Sequence, residues 1–111
     1  MAKATYWQRG ESLDYKNGTD VVIEENTIIA IGTRVGITGT YINPGETGSL
    51  HVCGVYEMPK TAGEEIELGA AVYFDGTAIT ATAGSNTPAG YAVATAAAAD
   101  VDTVVLVKLL G

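Results

Sequence analysis

Cysteine, histidine and tryptophan each occur only once in the 111-residue sequence, and no long hydrophobic run is present. A single cysteine cannot form a disulfide within the chain. No segment approaches the ~18 consecutive apolar residues of a membrane-spanning helix. The first ten residues, MAKATYWQRG, lack the apolar stretch of a signal peptide. We therefore expect a protein that is made and kept in a cytosol-like compartment and that has no membrane partner.

Positive charge is also scarce. The sequence has six Lys and Arg residues but 13 Asp and Glu residues, which gives a net charge of -7. Attraction to phosphate groups supplies most of the non-specific affinity of proteins for nucleic acids. A chain this acidic lacks that attraction, so we expect no nucleic-acid partner. Its length allows one domain with a modest core.

Residues that favour β-structure dominate instead: 11 Val, 8 Ile and 14 Thr stand beside only 6 Leu, and there are 14 Gly. Side chains branched at Cβ suit a pleated sheet, and glycines supply tight turns. The pattern predicts an all-β fold, a small single-domain β-barrel or sandwich of short antiparallel strands over residues 1–111, with residues 1–10 as an amino-terminal arm. Predicted strands cover residues 5–8, 12–15, 20–23, 27–31, 35–38, 50–56, 70–74, 78–82, 91–95 and 103–109. We expect residues 61–69 to form either a helical turn, since Thr61 and Glu64 have the spacing of a capping box, or a plain loop.

The stretch HVCGVYEMPK places His51 and Cys53 two positions apart. On a strand such residues share one face, but their Cα atoms are ~6 to 7 Å apart, too far for a tight catalytic pair. A zinc site needs three or four ligands, and no further His or Cys is available. We therefore interpret these residues as part of a strand face and expect no catalytic residues and no metal.

Other patterns that carry chemistry are incomplete. The run GTRVGITG lacks the Gly-Lys-Ser or Gly-Lys-Thr of a P-loop, and the dinucleotide pattern G-x-G-x-x-G is missing. Two acidic clusters lack the spacing of a calcium loop, so solvated turns explain them better. We expect no cofactor. The acidic clusters are Glu24 with Glu25, and Glu64 with Glu65 and Glu67.

Aromatic and basic side chains meet near the start of the chain, where Tyr6, Trp7, Gln8 and Arg9 are consecutive. Trp, Tyr and Arg are enriched at the energetic centres of protein interfaces, and a chain start is easily freed to reach a partner. The alternative is that Trp7 packs into the core of its own domain. The sequence leaves both interpretations open.

Four stretches, taken together and in order, resemble a family of small tailed-phage and prophage proteins that act as capsid cement or decoration proteins. Members are often labelled RecA/RadA recombinase-like, a label that the absent P-loop and the acidic charge contradict. The stretches span most of the chain. They are YWQRGESLDYKN, GETGSLHVCGVYEMPK, GAAVYFDG and NTPAGYAVATAAAADVDTVVLVKL.

The resemblance implies a structural virion protein, made in the host bacterial cytoplasm, that sits on the exterior of the phage head. It implies a homo-oligomer, with a trimer favoured, that clamps neighbouring subunits of the major capsid protein. No catalytic residues come with the family, and Tyr6, Trp7, Gln8 and Arg9 become candidates for capsid or subunit contact. The alternative is a small β binding module, a carbohydrate or receptor adhesion domain of the particle, which predicts an exposed cluster of aromatic side chains.

Overall fold

The structure is a computed structural model that describes residues 1–98 and 103–109. These residues contain strands and no helix, so none of them forms an apolar helix long enough to cross a membrane. The all-β prediction is confirmed. The strands are β1 (Ser12–Lys16), β2 (Ile28–Ile31), β3 (Arg34–Thr38), β4 (Thr47–His51), β5 (Val55–Pro59), β6 (Ala71–Phe74), β7 (Ile79–Thr80), β8 (Thr87–Ala92) and β9 (Val104–Leu109).

The strands form two antiparallel sheets. The first sheet has the order β1-β4-β3-β2, and the second has the order β5-β9-β8-β6-β7. Within the described residues neither sheet closes into a barrel, so the fold is a sandwich rather than a barrel. Strand β9 lies between β5 and β8, so the last described part of the chain forms an interior strand of the second sheet.

Both sheets contribute to one hydrophobic core. Val35 and Ile37 from β3 join a cluster with Val72, Val107 and other residues of the second sheet. Contacts between β3 and β8 hold the two sheets together. Burial of each such aliphatic side chain contributes ~1.5 to 3 kcal/mol, which offsets the entropy lost on ordering the chain.

The alternating pattern is clearest in β9. Val105, Val107 and Leu109 are buried in the core, whereas Val104 and Leu106 point away from it and remain exposed. Side chains on a strand alternate between its two faces, so β9 separates an inner apolar face from an outer apolar face.

Several predicted strands were wrong. Residues 5–8 form no strand, and residues 20–23 form only an isolated bridge from Ile23 to Ile42. Of the two alternatives for residues 61–69, the loop is the one that the structure shows. The predicted strand over residues 50–56 is broken after His51, and β5 begins only at Val55. The break includes Gly54, which has a φ of 113°, a conformation that glycine adopts without steric cost.

Candidate functional site

Residues 1–10 lie outside both sheets and are exposed throughout; we call them the amino-terminal segment. Tyr6 is 79 % exposed and Trp7 is 88 % exposed. The alternative in which Trp7 packs into its own core is therefore wrong. Gln8 and Arg9 are exposed beside them, so all four predicted contact residues are available to a partner.

The amino-terminal segment leaves the sandwich beside the connection between β4 and β5. The backbone carbonyl of Glu11 accepts a hydrogen bond from the Val52 amide at 3.0 Å. Arg9 makes an ion pair with the Glu11 carboxylate at 3.4 Å, and both side chains are largely exposed. An exposed pair of this kind contributes little, so it does not hold the segment in place.

His51 and Cys53 do not lie side by side on one strand face, because the predicted strand that would carry both ends at His51. The His51 ring lies over Gly39, where an added Cβ would come within 2.7 Å of Nε2. The Cys53 Sγ lies 3.9 Å from the Glu11 carbonyl oxygen. Tyr56 donates a hydrogen bond to the Cys53 carbonyl at 3.3 Å, and its pKa is raised by burial and by the neighbouring Cys53 thiol.

One of the acidic clusters has a structural role that the sequence did not reveal. The Glu64 carboxylate accepts hydrogen bonds from the Thr80 hydroxyl at 3.1 Å and from the Ala81 amide. The buried Lys60 ammonium donates to the backbone carbonyls of Thr61, at 2.9 Å, and Glu64. The Glu64 bonds fasten the loop after β5 to the end of β7, and the Lys60 bonds lie within that loop. Among the described residues no three His, Cys, Asp or Glu side chains are placed to share a metal ion.

A cleft of about 270 Å³ lies between β2 of the first sheet and the two loops that flank β7 in the second sheet. Its wall includes Asp75, whose Oδ1 accepts hydrogen bonds from the Thr77 and Ala78 amides, both at 2.9 Å. These amide donors, together with the Thr77 hydroxyl, lower the pKa of Asp75. The carboxylate oxygen that makes these bonds closes a turn, so the turn accounts for its position without a ligand.

The outer face of the second sheet is the surface that sequence reasoning missed. Val55, Tyr91, Val104 and Leu106 project from it and are 53, 41, 47 and 40 % exposed. The Lys108 Nζ lies 5.9 Å from the centre of the Tyr91 ring, within the range of a cation–π contact. A signal was present in VVLVKL, where apolar residues occupy both phases of the alternation, a pattern typical of strands covered on both faces.

The fold and these surfaces define a small β-sandwich protein whose exposed features fit contact with other proteins. A family model described as phage cement protein matches residues 7–109. The chain therefore belongs to the phage cement protein family, a family of structural phage proteins associated with the capsid. A search of curated proteins found no significant match, and a search of solved structures also found none.

Proposed function

We propose that the protein binds the exterior of the assembled phage head and stabilises contacts between neighbouring subunits of the major capsid protein. The observation that carries this proposal is the family match over residues 7–109, which includes Trp7, Gln8 and Arg9. A protein that binds only the assembled shell stabilises that shell by mass action, and symmetric repetition multiplies the effect. The protein is made in the host cytoplasm and joins the virion after head assembly.

The whole chain, residues 1–111, acts in this proposal as one β domain, and the amino-terminal segment supplies its contacts. Tyr6, Trp7, Gln8 and Arg9 bind either a capsid subunit or another copy of the protein. The exposure of Tyr6 and Trp7 supports this role, since both side chains are free to contact a partner and Trp and Tyr are enriched at the energetic centres of interfaces. The copies form a symmetric oligomer, with a trimer favoured.

The alternative, an adhesion domain for carbohydrate or a receptor, predicts an exposed cluster of aromatic side chains. Exposed aromatic residues on the sandwich lie apart in the fold, with Tyr41 in the loop between β3 and β4 and Tyr91 on β8 of the second sheet. Tyr6 and Trp7 are adjacent, but they lie on a segment outside both sheets. This arrangement favours the cement role.

Co-sedimentation with phage heads tests the proposal. Intact protein should pellet with expanded heads that were assembled without it, and it should not bind free capsid subunits. Truncating an anchor residue at an interface commonly weakens binding about thirtyfold or more, so we expect that loss for Trp7→Ala. Tyr41→Ala, another exposed aromatic residue, serves as the control and should bind as well as the intact protein. Failure of intact protein to bind heads of its own phage would refute the proposal.

A further inference from the structure

The outer face of the second sheet carries four exposed apolar side chains, Val55, Tyr91, Val104 and Leu106, set around two charged residues, Lys108 and Glu57. Strand pairing places Val55, Lys108 and Tyr91 in one row across β5, β9 and β8. Leu106, opposite Glu57, lies in the next row. Exposed apolar side chains grouped in this way mark a protein contact site, whereas single exposed apolar side chains need no explanation.

The amino-terminal segment differs in charge from the body that carries this face. Lys3 and Arg9 are its charged residues and it contains no carboxylate, whereas the rest of the chain holds the other four cations and all 13 carboxylates. Two sandwiches brought face to face would bring like net charges together. A cationic segment that carries Tyr6 and Trp7 instead offers aromatic surface to an apolar face on an acidic body.

We propose that the outer face of one copy binds the amino-terminal segment of a second copy, with Trp7 as the anchor. In the structure Trp7 is 88 % exposed, so it does not pack on the outer face of its own copy. Extended, residues 8–11 let Trp7 reach about 13 Å from the start of β1, enough to contact the face of an adjacent copy. Each copy then gives one segment and receives one, a head-to-tail contact that closes into a ring. The inference rests on the proposed self-association and identifies its two surfaces.

Sedimentation velocity under reducing conditions tests the two surfaces separately, since a disulfide through Cys53 would otherwise mimic association. Trp7→Ala removes the anchor of the segment, and Tyr91→Ala alters the outer face. Each variant should weaken self-association at least about thirtyfold. Tyr41→Ala, an exposed tyrosine outside the outer face, should associate like the intact protein. If Tyr91→Ala does not fold, Leu106→Ser, also on the outer face, replaces it.

Mixing the two variants gives the most specific result. Trp7→Ala retains an intact face and Tyr91→Ala retains an intact segment, so at a concentration at which each variant alone is a monomer the mixture should form a 1:1 heterodimer. If the segment binds its own face, intact protein and mixture both stay monomeric. If the faces bind one another directly, Trp7→Ala still self-associates. If the segment binds elsewhere on a neighbour, Tyr91→Ala still self-associates. Any of these three results overturns the inference.

Head binding distinguishes this inference from the proposed function. Intact protein that decorates heads while the mixture shows no heterodimer refutes the exchange of segments and leaves the cement role standing. Intact protein that forms the expected oligomer and heterodimer but decorates no heads refutes the cement role alone.

Discussion

Gly90 of β8 lies directly against the backbone of Lys108 in β9, so close that a Cβ added at Gly90 would lie 1.8 Å from the Lys108 carbonyl oxygen. Gly90 has a φ of 153°, and it pairs with Val72 of β6 on its other side. The middle of the second sheet, and with it the outer face, therefore depends on the absence of a side chain at this position.

Gly90→Ala should lower the free energy of unfolding by at least ~3 kcal/mol, because the methyl group meets backbone that cannot move aside and the φ is unfavourable for alanine. Gly18→Ala is the matched control, since a Cβ at Gly18 meets nothing within 4 Å. Urea unfolding followed by circular dichroism is the suitable measurement, because the exposed Trp7 is a poor reporter of the core. Equal urea midpoints for Gly90→Ala and Gly18→Ala would contradict the close approach of Gly90 to the Lys108 carbonyl.

Asn17 is fully buried and links three parts of the first half of the chain. Its Nδ2 donates to the Val21 and Ile42 carbonyls at 2.7 and 2.8 Å, and its Oδ1 accepts from the Thr19 amide at 2.9 Å. Asn17→Ala removes these three bonds at a buried position, although the Ile42 carbonyl keeps the Ile23 amide and the Val21 carbonyl keeps the Thr19 hydroxyl, and the loss should cost about 2 to 3 kcal/mol of stability.

The control for Asn17 is Asn86→Ala. Asn86 makes one side-chain hydrogen bond, to the Thr82 carbonyl at 3.0 Å, in an exposed turn. Water can replace that bond, so the loss should stay below about 1 kcal/mol. Denaturant unfolding measures both variants, and a similar loss in each would contradict the central position that the structure gives to Asn17.

Much of the fold was accessible from sequence because it depends on local chemistry. The alternation around Val35 and Ile37 predicted β3, and the β-branched composition predicted a fold without helices. The order of strands depends on distant parts of the chain instead. Nothing local indicates that β9 inserts between β5 and β8, because that pairing joins residues that are about 50 and 20 positions apart in the chain.

Of the two candidate contact surfaces, the amino-terminal segment could be identified from the sequence and the outer face could not. Tyr6 and Trp7 were identified from residue type and position, and their exposure then followed from the lack of any strand over residues 5–8. The outer face was not identified, because Val104 and Leu106 look like core residues in the sequence. Apolar residues on both phases of a strand predict that both faces are covered, and they do not tell whether the cover comes from the same chain or from a partner.

The turn at Asp75 makes stability depend on pH at the acid end. Its hydrogen-bond donors hold the pKa of Asp75 below the ordinary value of 3.8. As the pH falls, the unfolded chain therefore takes up a proton at this group before the folded chain does. The stabilising contribution is present at neutral pH and is lost as the pH falls below 3.8 and through the lower pKa of the folded state.

Asp75→Ala should accordingly lower the melting temperature at pH 7, and the difference from the intact protein should shrink as the pH approaches about 2. Asp20→Ala, at an exposed position that makes no side-chain hydrogen bond among the described residues, is the control and should change the melting temperature less at pH 7. A difference for Asp75→Ala that stays constant over the whole range would show that its carboxylate does not act through its charge.

The heat stability of phage heads tests the cement role most directly. Heads assembled without the protein are packed with DNA, mixed with purified protein or with buffer, and heated while the release of DNA is followed with a dye that the intact shell excludes. Because binding only to the assembled shell stabilises it, added protein should raise the temperature of DNA release in proportion to the number of copies bound. Heads that carry a full complement of bound protein yet release their DNA at the same temperature as bare heads would contradict the account.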